Sequence, residues 1–73
     1  MKPEEAFRNN LLTLRKSRHL TQKQVADGAG ISENGYRFVE KGHRNPSFEM
    51  LIALADFFDV SLDYLCGRDG KDP

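Results

Sequence analysis

Four helix-capping residues and three glycines divide this sequence into a succession of short helices. Thr21, Ser32, Ser47 and Ser61 are residue types whose side-chain oxygen accepts a hydrogen bond from a free amide in a helix's first turn. Thr21-Gln22-Lys23-Gln24 also has the Ser/Thr-x-x-Gln form of a capping box. Gly30, Gly42 and Gly67 fall where a left-handed residue closes a helix, and Pro46 disfavours helical geometry at Asn45. The segments so bounded are about 22–29, 33–41, 48–58 and 62–66. A further helix over about 4–17 is read from Phe7, Leu11 and Leu14 at i, i+4 and i+7, with acids at its start and bases at its end. No stretch alternates apolar and polar residues with a strand's period of two. The class expected is all-α, with five helices, the fourth being the central buried one because Phe48, Leu51, Ile52, Leu54, Ala55 and Phe58 cover more than half its circumference.

Length and composition bound what such a bundle can do. The 73 residues, 38% of them hydrophobic, make one domain over 1–67 with a polar tail at 68–73. A chain this short buries only about 60% of its unfolded surface, which leaves little room for an enclosed substrate cavity beside a core. One cysteine excludes an internal disulfide and points to a reducing cytoplasm. The acidic start and the short apolar run at 50–55 suggest neither export nor a membrane span. The net charge of zero hides an asymmetry. Residues 1–46 hold nine basic and five acidic groups, a surplus of four positive charges, and residues 47–73 hold two basic and six acidic, a surplus of four negative ones.

Helices two and three carry the mechanical signal. They are short and joined through Gly30; Ala26 is small where a second helix crosses it, and Val25, Ala29, Ile31, Tyr36 and Val39 bury the inner faces. The pattern is that of a helix-turn-helix, and it leaves Glu33, Asn34, Arg37 and Phe38 on the outer side of the second helix.

From Leu11 to Leu65 the chain resembles the DNA-binding domains of the Cro and phage-repressor class, the XRE-type regulators. The resemblance is carried by Leu14-Arg15-Lys16, Leu20-Thr21-Gln22-Lys23-Gln24-Val25-Ala26, Gly30-Ile31-Ser32, Glu40-Lys41-Gly42, Asn45-Pro46-Ser47 and the run from Ala53 to Leu65, in that order. It implies a five-helix, lambda-repressor-like fold and a transcriptional regulator, expected to be a repressor, that binds a near-palindromic operator in double-stranded DNA as a homodimer. In such a motif the second helix enters the major groove. Asn34 suits adenine, Phe38 a thymine methyl, Glu33 a cytosine amine, and Arg37 a guanine or a phosphate. Gln22 matches a position that in the family contacts a phosphate at the start of helix two, and Lys23, Lys41, His43 and Arg44 flank the same face. Arg15 and Glu40 match a structural ion pair that ties helix one to the end of helix three. The resemblance, together with the apolar surplus of Phe57, Val60, Leu62, Tyr64, Leu65 and Cys66, points to a dimer interface at Val60, Leu62, Leu65 and Cys66.

Three residues depart from the family's pattern. Gly35 falls inside the recognition helix, either as a weak spot costing about 1 kcal/mol against Ala or as a place for close backbone approach. Glu33 faces phosphates unfavourably, and Phe38 stands where a polar side chain is common. These, with the neutral net charge, keep a second reading in play, an antitoxin-like protein-interaction module of the same fold. His19, His43 and Cys66 lack the spacing of zinc ligands, and Gly28-Ala29-Gly30 lacks the preceding strand and the following Lys-Ser/Thr of a phosphate loop. No metal, cofactor, small-molecule ligand or catalytic residue is expected.

Overall fold

Four of the five described helices begin on a side-chain cap, and all five end on backbone bonds from the residues that follow them. In the computed structural model, which describes residues 2–68, the elements are α1 (Pro3–Ser17), α2 (Gln22–Ala29), α3 (Glu33–Glu40), α4 (Phe48–Phe58) and α5 (Leu62–Leu65), with no strand among the described residues. The side chains of Thr21, Ser32, Ser47 and Ser61 accept from the amides of Gln24, Gly35, Met50 and Tyr64, and Gln24 returns a bond to the Thr21 amide to complete the capping box. Relative to the expected ranges, α1 starts one residue earlier, at Pro3, and α3 and α5 stop one residue sooner, with Lys41 and Cys66 as their C-caps. Of the expected polar tail only Arg68 is described; 69–73 lie outside the described residues.

All five helices close in one way. The residue after each C-terminal turn is left-handed, and the next amide reaches back to a carbonyl five residues earlier: Leu20 to Arg15, Ile31 to Ala26, His43 to Phe38, Val60 to Ala55 and Arg68 to Asp63, at 2.7–3.1 Å. Gly30, with φ 74°, takes the left-handed position after α2 without the Cβ clash that other residues meet there. In α1 and α4 the position falls to His19 (φ 57°) and Asp59 (φ 58°). These two ends are tied together: the Arg18 guanidinium donates to the Phe58 carbonyl at 2.9 Å and lies over the Phe58 ring, 5.3 Å from its centroid.

Phe7, Leu11 and Leu14 of α1, Val25 and Ala26 of α2, Tyr36 and Val39 of α3, Leu54, Ala55 and Phe58 of α4 and Leu65 of α5 form the core. Among the described residues no helix is long and apolar enough to cross a membrane. The expectation that α4 is buried around more than half its circumference is corrected: Phe48 is 67% exposed and Ile52 38%. α4 packs on α2 and α5 through the side bearing Leu54, Ala55 and Phe58, and the adjoining i, i+4 pair Phe48 and Ile52 edges an open depression shared with Ala29, Ala53 and Phe57.

Gly28 has a packing role that propensity alone conceals. A Cβ there would overlap the edge of the Phe57 ring, which itself meets Phe58 edge-on at 5.0 Å between centroids. Gly28→Ala gains about 1 kcal/mol of helix propensity. Displacing a packed ring costs about 1–3 kcal/mol, so the expected result is a net loss of about 1 kcal/mol, read as a lower midpoint in a thermal melt. A higher midpoint would show that Phe57 moves aside freely.

Candidate nucleic-acid interface

The crossing of α2 and α3 rests on Ala26, which is fully buried, and on the turn at Gly30. With Tyr36, Val39 and Glu40 turned inward, the other side of α3 presents Asn34, Arg37, Phe38 and then Lys41, all exposed, at i, i+3, i+4 and i+7. Glu33 lies at the edge of this stripe, and its carboxylate is 3.8 Å from the Arg37 guanidinium one turn on. The pair neutralises the glutamate beside the approach path of a polyanion, and it leaves the outer side of α3 with one positive charge, Lys41, outside it.

Behind the stripe, one carboxylate holds three helices together. Glu40, with a side chain only 4% exposed, accepts from Arg15 Nε at 2.7 Å and Arg15 Nη2 at 3.0 Å, from the Tyr36 hydroxyl at 2.6 Å and from Gln22 Nε2 at 2.6 Å. Arg15 reaches on to the Leu20 carbonyl at 3.0 Å. Burial by itself pushes the Glu40 carboxyl up, but the hydrogen bonds from Arg15, Tyr36 and Gln22 outweigh it and hold its pKa below the usual range. The same bond to Glu40 raises Arg15. Tyr36 is pushed well above the ordinary phenol value, first by burial and then by its bond to the carboxylate, so it stays a neutral donor. The orientation of α3 is thus set by charge-assisted bonds to α1 and α2 as well as by apolar packing.

Gln22 therefore has a role absent from its sequence reading. One N–H of its amide is committed to Glu40, and the second N–H and the oxygen remain for another partner. The i, i+4 spacing of Tyr36 and Glu40 was the available signal for the Tyr36 bond, whereas nothing local joins Gln22 to a residue 18 positions on.

The flanking cations differ among themselves. Lys23 donates to Asp27 at 3.0 Å, which raises its pKa, yet both side chains are more than 60% exposed and the pair is open to solvent. Lys41 and Arg44 make no ion pair among the described residues. The Arg44 guanidinium folds back over the start of α3 at Gly35, and His43 brings its ring to 6.4 Å from that of Phe38. Arg8, which the sequence did not single out, lays its guanidinium against Gly42 and adds a cation to the loop after α3.

Two expectations are corrected. Gly35 is not in the helix interior; it is the third residue of α3, buried against the Ser32 hydroxyl that caps it, with Met50 and Arg44 beyond. Its backbone faces the protein, so it gives DNA no close approach. Leu65 is fully buried in this chain's own core and has no surface for a second copy. Of the residues expected at a dimer interface, Leu62 is 39% exposed and Val60 and Cys66 are half-buried.

A family model described as helix-turn-helix matches residues 11–65, which takes in the crossing, the outer stripe and the carboxylate network. The chain belongs to the helix-turn-helix family. Among curated proteins, the domain is 44% identical over 59 residues to the uncharacterized HTH-type transcriptional regulator YqaE of Bacillus subtilis, covering 81% of this chain and 51% of that protein. It is 40% identical over 66 residues to the cryptic phage CTXphi transcriptional repressor RstR of Vibrio cholerae, covering 90% of this chain and 59% of that protein. With the HTH-type transcriptional regulator AnsR of Bacillus subtilis it shares 41% identity over 61 residues, 84% of this chain and 53% of that protein. The helix-turn-helix domain thus spans little more than half the length of the curated relatives it matches. No solved structure matches it.

Proposed function

We propose that this helix-turn-helix domain binds double-stranded DNA by placing α3 in the major groove, and that it regulates transcription in the cytoplasm as a repressor, binding a near-palindromic operator as a dimer. The observation that carries the reading is the exposed stripe of Asn34, Arg37, Phe38 and Lys41 on a helix whose back is fastened by the Glu40 network. Relatives named as transcriptional regulators, one of them a phage repressor, support it. Asn34 and Arg37 supply base-edge donors and acceptors. Gln22, through its second amide N–H and the free amides at the start of α2, and Lys23, Lys41, His43 and Arg44 supply phosphate contacts. Val60, Leu62 and Cys66 face the second copy.

The test is selection of bound sites from a random duplex pool at fixed salt. An inverted repeat with half-sites about 10 base pairs apart is expected. Asn34→Ala should relax the preference at one position per half-site, at a cost of about 1–3 kcal/mol. Lys41→Ala should weaken all sequences alike and lower the salt slope by about 1. Salt-sensitive binding with no preferred sequence would overturn the reading. It would favour instead the protein-interaction module, to which the exposed Phe48 and Ile52 and the flanking Glu49 and Asp56 would then be assigned.

A further inference from the structure

Phe38 is the one apolar side chain on the outer stripe of α3, between the polar residues Asn34, Arg37 and Lys41. It is 49% exposed and belongs neither to the core cluster nor to the half-buried apolar residues packed on that core. Folding therefore leaves much of its ring in water. The ring nonetheless has an aromatic neighbour. The His43 amide donates to the Phe38 carbonyl at 2.9 Å where α3 closes, and this brings the imidazole to 6.4 Å from the phenyl ring, tilted by 32°. With only two side-chain torsions, a braced phenylalanine is a rigid apolar probe.

Base edges in the major groove present hydrogen-bond donors and acceptors, with one apolar exception, the C5-methyl of thymine. Cytosine carries a hydrogen there, and 5-methylcytosine carries the same methyl as thymine. We propose that Phe38, braced by His43, reads this C5 substituent on one pyrimidine per recognition helix. Thymine and 5-methylcytosine are then equivalent at this contact, and uracil and unmodified cytosine are not. Binding consequently responds to methylation of cytosine within the site. The inference rests on the reading of α3 as the groove helix and adds to the expected thymine contact a response to cytosine methylation.

The experiment uses the full chain and the site obtained by selection. Each thymine is replaced in turn by deoxyuridine, and at the responsive position a cytosine·guanine pair is compared with and without the 5-methyl group, at fixed salt. At one position per half-site, loss of the methyl should lower affinity about fourfold, the effect of burying one methyl-sized group. Methylating cytosine at the same position should raise affinity by a similar factor. Both factors should fall to about one in Phe38→Ala and survive in part in Phe38→Leu. Thermal melts check that both variants fold, as the half-exposed position predicts. Methyl effects of equal size in wild type and Phe38→Ala, or an enriched site in which no thymine methyl matters, would overturn this inference and leave the DNA-binding reading standing. The absence of any enriched site would overturn both.

Discussion

Glu40→Ala should lower the unfolding free energy by about 3–5 kcal/mol, the cost of removing one partner of a buried ion pair. Domains of this kind are stable by only about 5–15 kcal/mol in total, so the variant should be partly unfolded at moderate denaturant concentrations where the wild type is intact. The loss is large because four donor contacts converge on this carboxylate, from Arg15 twice, Tyr36 and Gln22, and its removal leaves the Tyr36 hydroxyl buried without its acceptor. Glu40→Gln keeps the shape and loses the charge, and it isolates the pH dependence. Because the folded carboxyl titrates below the ordinary glutamate value of 4.5, its contribution is complete above that pH and is lost as the pH falls through the lower folded value. The stability gap between wild type and Glu40→Gln should therefore be constant near neutrality and narrow below about pH 4.5. Urea titrations at several pH values measure it. A gap unaffected by acid would mean that the charge of Glu40 does not hold α3.

Leu65→Ala is expected to cost about 2–5 kcal/mol, the range for emptying a fully buried leucine site. α5 has only four residues and depends on tertiary contacts: Leu65 fills the core, and the Asn10 amide donates to the Tyr64 carbonyl at 2.9 Å. The measurement also separates a core residue from an interface residue. For a core residue the loss is the same at every protein concentration, and sedimentation of the folded fraction is unchanged. Leu62→Ala, at a 39% exposed position, should cost less than about 1 kcal/mol and is the variant in which self-association should respond. A Leu65→Ala protein that dissociates without losing stability would return Leu65 to the interface.

Helix starts were legible because they are local. Thr21, Ser32, Ser47 and Ser61 each bond an amide three residues away, and that relation depends on residue type and spacing alone. The helix ends expected at 17, 29 and 58 agree with the structure, and those of α3 and α5 fall one residue sooner. Not legible was the Arg18 link, which joins the left-handed ends at His19 and Asp59 across 40 residues of sequence. The outer stripe of α3 was readable from its period once the inner face had been assigned to Tyr36 and Val39.

Properties that depend on which elements become neighbours were not readable in this way. The apolar residues of α4 suggested burial on most sides, but the packing around it leaves Phe48 67% and Ile52 38% exposed. Gly35 looked like a propensity loss, but the Ser32 cap stands where its Cβ would lie, as the Phe57 ring does at Gly28. Leu65 and Leu62 lie three residues apart on a four-residue helix, one fully buried and the other 39% exposed. The amino-acid sequence by itself determined the class, the helix starts and the stripe turned outward, because caps and periodicity act within one or two turns. Tertiary structure decided which apolar residues are core and which donors share the Glu40 carboxylate, because burial and convergent hydrogen bonding are set by the packing of segments far apart in the chain.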